Sequence, residues 1–227
     1  MKAYKVFLII LAVLVLDQAV KIWVKTHMMM GDEIMITHWW HLHFTENPGM
    51  AFGMVLPGVW GKLVLSVFRL AAACGGLWYI IHLLKTNAHW GFVTACSLIL
   101  AGAIGNMIDG AFYGILFTDS FGRVAHFLPK GGGYAGFLQG RVVDMLWFPL
   151  MSGRFPGWVP IWGGEEFEFF RPVFNVADSA ITSGVFVILI FQKYFFIDEA
   201  NPQQDASSKQ TEGLEQDAQF VFMAEER

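Results

Sequence analysis

Four long apolar runs divide the chain, at about residues 4–25, 59–84, 91–117 and 173–197. Each reaches the roughly 20 residues that an α-helix needs to cross a hydrocarbon core about 30 Å thick. The interruptions are few. Asp17 and Lys21 break the first run, Lys62 and Arg69 the second, Asn106 and Asp109 the third, and Asn175 and Asp178 open the fourth. Residues 26–58 are too polar to span. Leu42 and Phe44 alternate there with His41, His43 and Thr45, which is a strand period. Asn47-Pro48-Gly49 has turn chemistry, and Trp39 and Trp40 suit a membrane interface. The segment reads as a hairpin or small sheet on the membrane surface, with Glu46 to Gly53 as a loop over the bundle mouth. Residues 118–172 form a long extramembrane segment rich in Gly and aromatic residues. The pattern therefore predicts an all-α polytopic membrane protein, with four transmembrane helices under a small extracytoplasmic β-sheet and loop cap.

Composition agrees with that pattern. Of 227 residues 55% are hydrophobic and only 15% charged, a membrane composition. The net charge of -4 comes from the last thirty residues, which hold eight acids against Lys209 and Arg227. Residues 1–197 read as one membrane-embedded domain and 198–227 as a disordered acidic cytoplasmic tail. Without the tail the body is slightly basic, but no basic stripe suggests nucleic acid. Cys74 and Cys96 lie inside apolar runs and read as packing thiols. The basic start followed by an apolar run resembles a signal peptide. No small-residue cleavage site follows, so the first helix is expected to be retained. Lys2, Lys5, Lys85 and Lys193 fall on one side of the predicted topology, which places both termini in the cytoplasm.

A charged group at membrane depth is costly, so it faces a bundle interior and has a function. At about 1.5 Å per residue, Asp17 lies roughly 20 Å and Asp109 roughly 26 Å from the inner face, and Asp178 comes at about 24 Å. Asp144, on the long outer segment, can dip to the same level. Helices running in opposite directions thus bring acids to one depth. Adjacent carboxylates in a low-dielectric site share a proton and titrate as a pair. The ionised member can then activate water while the protonated one supports a carbonyl oxygen. Asn175 and Asp178, three apart, are expected on one helix face. Asn106 and Asn175 are candidates to orient the acids, and Arg69 or Lys21 to balance their charge.

Five blocks carry a resemblance. They are Leu16-Asp17-Gln18 with Lys21, Glu46-Asn47-Pro48-Gly49-Met50-Ala51-Phe52, Gly105-Asn106 with Asp109, Val142-Val143-Asp144, and Phe174-Asn175-Val176-Ala177-Asp178. In this order on four spans, the chain resembles the bacterial lipoprotein signal peptidases (signal peptidase II). The resemblance implies an intramembrane aspartic protease of the inner membrane. Such an enzyme cuts prolipoproteins before a diacylglyceryl-modified cysteine, uses no metal or cofactor, and is inhibited by globomycin. It implies Asp144 and Asp178 as the catalytic pair. It also implies Asp17, Lys21, Asn47, Gly49, Ala51, Asn106, Asp109, Asn175 and Ala177 as supporting or substrate-contacting residues. The sequence departs from the family pattern at Gly110, where arginine is usual, and in long intervals on both sides of Asp144. Arg69 or Arg141 is expected to replace the arginine. Lipids and the prolipoprotein are the implied partners, and oligomeric state stays open.

Plainer readings weigh against some of these. Lys21 is an adequate local partner for Asp17, so a structural role stays open for it and for Asp109. His38, His41 and His43 lack a His-Glu-x-x-His helix, so they read as interface residues. Ser179 and Ser183 lack a paired His. The rival classes are a proton- or ion-conducting bundle, which needs acids at several depths, and a scaffold, which tolerates loss of both aspartates.

Overall fold

The computed structural model describes residues 1–48, 58–169 and 171–196. Residues 49–53 of the expected mouth loop, Gly49 and Ala51 among them, and the acidic tail lie outside the described residues. Helix α1 is Ala3–His27 and is followed by strands β1, Glu33–Thr37, and β2, Trp40–Asn47. Helices α2, Gly58–Lys85, and α3, Trp90–Ile108, come next. A π turn at Asp109–Tyr113 and one further turn, α4 (Gly114–Leu116), extend α3. Strands β3 (Val142–Trp147), β4 (Met151–Arg154), β5 (Glu166–Phe169) and β6 (Val173–Phe174) precede helix α5, Val176–Phe196. Among the described residues, four segments are long and apolar enough to cross a membrane: Ala3–His27, Val64–Lys85, Trp90–Leu116 and Val176–Phe196.

The helices are arranged inside-out relative to a soluble bundle. On α1 the buried side chains include Asp17, Lys21 and Lys25, while Phe7, Leu8, Val15 and Leu16 are exposed. Lipid solvates the apolar face, and the charged stripe, spaced four residues apart, needs protein partners. Helix α3 is central and packs against α1, α2 and α5. Small residues set its distance from α5. A Cβ at Gly102 would overlap the Ala177 carbonyl oxygen, and one at Gly184 would lie 2.6 Å from the Ala95 oxygen. Without these glycines the two backbones could not approach so closely.

The sheet has the order β1-β2-β3-β6, with every neighbouring pair antiparallel, and β4 and β5 form a separate ribbon. Three details correct the sequence reading. The hairpin turns at His38-Trp39, and Glu46 and Asn47 belong to β2 rather than to the expected mouth loop. Asp144 lies on a strand paired with β2 through Thr45, rather than on a dipping loop. Val173 and Phe174 form β6, so the fourth helix starts three residues later than expected and Asp178 stands in its first turn. A short apolar run reads the same in strand and helix, which explains the difference.

The long segment after α4 folds back over the end of that helix. The N–H groups of Leu138, Gly140, Ala135 and Leu128 donate to the oxygens of Ala111, Gly110, Gly114 and Leu116, at 2.7–3.1 Å. The Gly114 and Leu116 oxygens are among those a helix terminus leaves without partners, and those of Gly110 and Ala111 belong to the wide turn. A Cβ at Gly140 would overlap the Asp109 oxygen, so this approach requires glycine.

Candidate functional site

The start of α5 organises the site. Asn175 is its N-cap, and its Oδ1 accepts from the Asp178 N–H at 2.9 Å. Asp178 Oδ2 accepts in return from the Asn175 N–H at 3.3 Å. This reciprocal arrangement is a capping box, which satisfies two otherwise orphaned donors. The expected shared helix face of Asn175 and Asp178 is therefore replaced by a cap, because the helix begins between them. A third orphan donor, the Ala177 N–H, is met by Asp17 Oδ1 at 2.8 Å. An acid on α1 thus holds the terminus of α5, where its charge also complements the helix dipole.

The Asn175 side chain then reaches across to the sheet. Its Nδ2 donates to Asp144 Oδ1 at 2.6 Å, to the Val143 carbonyl at 3.3 Å and to Asn106 Oδ1 at 3.1 Å. Asn106 Nδ2 donates to Asp178 Oδ1 at 2.7 Å. Asp144 and Asp178, 34 positions apart in the sequence, therefore share Asn175, and Asn106 braces Asn175 against Asp178. Asp144 is nearly buried. Burial, followed by the nearby Asp178 charge, pushes its carboxyl up to about 7, and the Asn175 hydrogen bond opposes part of that rise.

Beneath this pair lies a cluster of buried charges. Lys21 Nζ contacts Asp17 Oδ2 at 2.9 Å, Asp109 Oδ2 at 2.8 Å and Asn106 Oδ1 at 2.9 Å. Asp109 Oδ2 also accepts from the Val143 N–H at 3.2 Å, which ties the strand before Asp144 to α3. Gln18 Nε2 donates to Asp109 Oδ1 at 2.9 Å, and Gln18 Oε1 accepts from Tyr113 at 3.1 Å. Gly105 leaves room for this cluster, since a Cβ there would sit 2.8 Å from Asp17 Oδ2. Asp17, Lys21, Asn106, Asp109, Asn175 and Ala177 thus converge with Asp144 and Asp178 at one level. Asn47 ends β2 opposite Val142.

The two candidate arginines part company. Arg69 on α2 interacts electrostatically with Asp178 and Asp109, and its Nη1 lies 3.9 Å from where a Gly110 Cβ would be. Arg141 instead pairs with Glu46 Oε2 at 2.9 Å and Asp119 Oδ1 at 3.2 Å. Of the two residues expected to replace the family arginine, Arg69 is the one beside the acids, while Arg141 precedes β3 and is held by Glu46. His41 and His43 gather around Glu33 and the Trp147 ring.

One buried network was not anticipated. Lys25 Nζ pairs with Glu46 and is 2.8 Å from Ser120 Oγ, which donates to Glu46 at 2.9 Å. The ammonium also lies within 6.0 Å of the Phe44, Phe117 and Tyr134 ring centroids, a cation–π setting. The signal was present in the sequence: Asp17, Lys21 and Lys25 recur at i, i+4 and i+8 on one face.

Chemically, two carboxyls linked through one asparagine form an arrangement suited to acid–base chemistry. Comparison with known proteins agrees in family. The signal peptidase (SPase) II family model matches residues 9–195. A lipoprotein signal peptidase of Porphyromonas gingivalis is 49% identical over 183 residues, 80% of each chain. One from Amoebophilus asiaticus is 39% identical, over 83% of this chain and 78% of its own. Two solved bacterial membrane enzyme structures, determined by the in meso method, share the fold. They have TM-scores of 0.55 and 0.51 at 24% and 26% identity, and cover 88% and 83% of this chain and 94% and 92% of theirs. From residue 9 to residue 195, this multi-pass membrane chain belongs to the signal peptidase II family of proteases.

Proposed function

We propose that the protein removes signal peptides from diacylglyceryl-modified prolipoproteins by an aspartyl mechanism, cutting before the lipidated cysteine. The observation that carries the reading is Asn175, which caps the helix bearing Asp178 and donates to Asp144. Asp178, which accepts from the Asn106 amide and the Asn175 N–H, is the carboxylate that takes a proton from water. The resulting hydroxide adds to the scissile carbonyl carbon. Asp144, in the protonated form that burial favours, donates its proton to the carbonyl oxygen. The tetrahedral diol then collapses. The proton on Asp178 passes to the leaving nitrogen as the C–N bond breaks, and a diol hydroxyl returns its proton to Asp144. Both carboxyls end as they began, and no external oxidant or reductant enters.

In this reading the protein sits in the bacterial inner membrane with both termini cytoplasmic. Asp17, Lys21, Asn106, Asp109, Asn175 and Ala177 support the pair, Arg69 and Asn47 face substrate, and globomycin inhibits. A proton-relay bundle is disfavoured, because the buried charges of the described helices cluster toward the sheet end. The test is cleavage of a diacylglyceryl prolipoprotein by purified protein. Asp144→Asn and Asp178→Asn should each leave it uncut while inserting and accumulating normally. Cleavage retained by either variant at the wild-type rate sinks the mechanism.

A further inference from the structure

Between α2 and the outer turns of α3 lies a groove of about 260 Å³ that the candidate site does not use. Its walls are Val67 and Leu70 on one side and Ile108 and Phe112 on the other, and Phe137 and Leu138 of the long loop close it. The lining is almost wholly apolar, with the Ser66 hydroxyl turned to the Leu138 carbonyl at 3.5 Å. The groove lies within two membrane spans, Val64–Lys85 and Trp90–Leu116, near the ends that meet the sheet.

Three observations set it apart from an ordinary lipid-facing crevice. First, it is continuous with the charged site. Ile108 and Ala111 flank Asp109 and Gly110, and Arg69 lies between Val67 and Leu70 in sequence while its guanidinium approaches Gly110. Second, the wall is built by loop residues held in place. Phe137 packs edge-on against Phe112 with centroids 5.6 Å apart, and the Leu138 N–H donates to the Ala111 oxygen at 3.1 Å. Third, Leu138 has φ +63°, a left-handed conformation that is strained for a branched residue. Strain of this kind persists where the surroundings impose it, and here it turns an apolar side chain into the groove.

We propose that this groove is the subsite for one acyl chain of the substrate's diacylglyceryl cysteine, and that the long loop supplies its outer wall. The inference rests on the prolipoprotein reading above. At about 30 Å³ per water, and slightly less per methylene, the groove holds on the order of ten methylenes. That is enough for most of one acyl chain and leaves no room for a second, which remains in the bilayer. Arg69, at the groove's polar end, is placed to meet the ester carbonyls of the glyceryl group.

The experiment compares two prolipoprotein peptides that differ only in long or short acyl chains on the cysteine, with full-length protein in vesicles. Val67 and Phe137 are both more than half exposed, so changing them should not impair folding. Val67→Trp narrows the groove. It should raise KM for the long-chain substrate by about tenfold, the effect expected when a couple of methylenes lose their burial. The short-chain KM should stay within about twofold. Phe137→Ala removes the wall and should erase the wild-type preference for long chains. Equal changes for both substrates, or none, would mean that the groove holds bulk membrane lipid and would overturn the assignment. Wild-type protein that cuts neither peptide would instead overturn the parent reading, and this assignment with it.

Discussion

Asn175 donates to Asp144 at 2.6 Å while capping the helix whose first turn carries Asp178. One residue therefore couples a sheet acid to a helix acid. Asn175→Ala removes an N-cap worth about 1 kcal/mol. It also removes the donor that favours the charged form of Asp144. We expect cleavage to fall by about 10²-fold, as displacement of a reacting group does. The limb of the rate–pH profile governed by Asp144 should move to higher pH. A profile unchanged in position would argue against the coupling.

Asp144 also links pH to stability. Its folded value is raised from 3.8 to about 7, so the native state binds a proton that the unfolded chain has released. Stability is therefore greatest below about pH 4 and is lost as pH rises through about 7, by at most about 4 kcal/mol. Asp144→Asn abolishes that loss. Its melting temperature should exceed the wild-type value at pH 8, and the gap should shrink toward pH 5. Melting curves in detergent across this range measure both.

Arg69 and Gly110 make a swap testable. The Arg69 guanidinium approaches the position that a Gly110 side chain would occupy. Arg69→Ala should lower cleavage by about 10²-fold, comparable to loss of one donor in an oxyanion site. Adding Gly110→Arg should restore much of the rate. Arg141→Ala should leave the cleavage rate nearly unchanged, since its partners are Glu46 and Asp119. Equal losses in Arg69→Ala and Arg141→Ala would refute this division of roles.

The Lys25–Glu46 pair is fully buried, whereas Arg141 is about one-third exposed. Lys25→Met removes the fully buried cation and leaves the Glu46 carboxylate held by Arg141 and Ser120 alone, which should cost at most about 3–5 kcal/mol. Arg141→Ala breaks a partly solvated pair and should cost about 1 kcal/mol or less. Double-mutant cycles on thermal stability, pairing each with Glu46→Gln, separate the two.

Much of this was legible in the chain. The four spans follow from apolar length alone, and the family blocks pointed to the acids that converge. The losses have physical causes. Val173-Phe174 looked like helix because a two-residue apolar strand has no period of its own. The i, i+3 spacing of Asn175 and Asp178 is shared by a helix face and a capping box, and the cap was recognisable only once the helix start was known. Arg69 and Arg141 were equal candidates because charge says nothing about which partner is near. The Lys25–Glu46 pair has no local sequence signal, since Glu46 lies 21 residues away on a strand.

The wide turn from Asp109 to Tyr113 carries one residue more than α geometry would. Each α-helical residue advances the azimuth by roughly 100°. Deleting any one of Gly110, Ala111 or Phe112 would let the turn relax to α form and rotate whatever follows by about that angle. Asp109 and the Tyr113–Phe117 anchor of the roof could then not both keep their bearings. The extra residue acts as a phase setting between the buried charge cluster and the roof, so this stretch should accept substitutions far more readily than single-residue insertions or deletions.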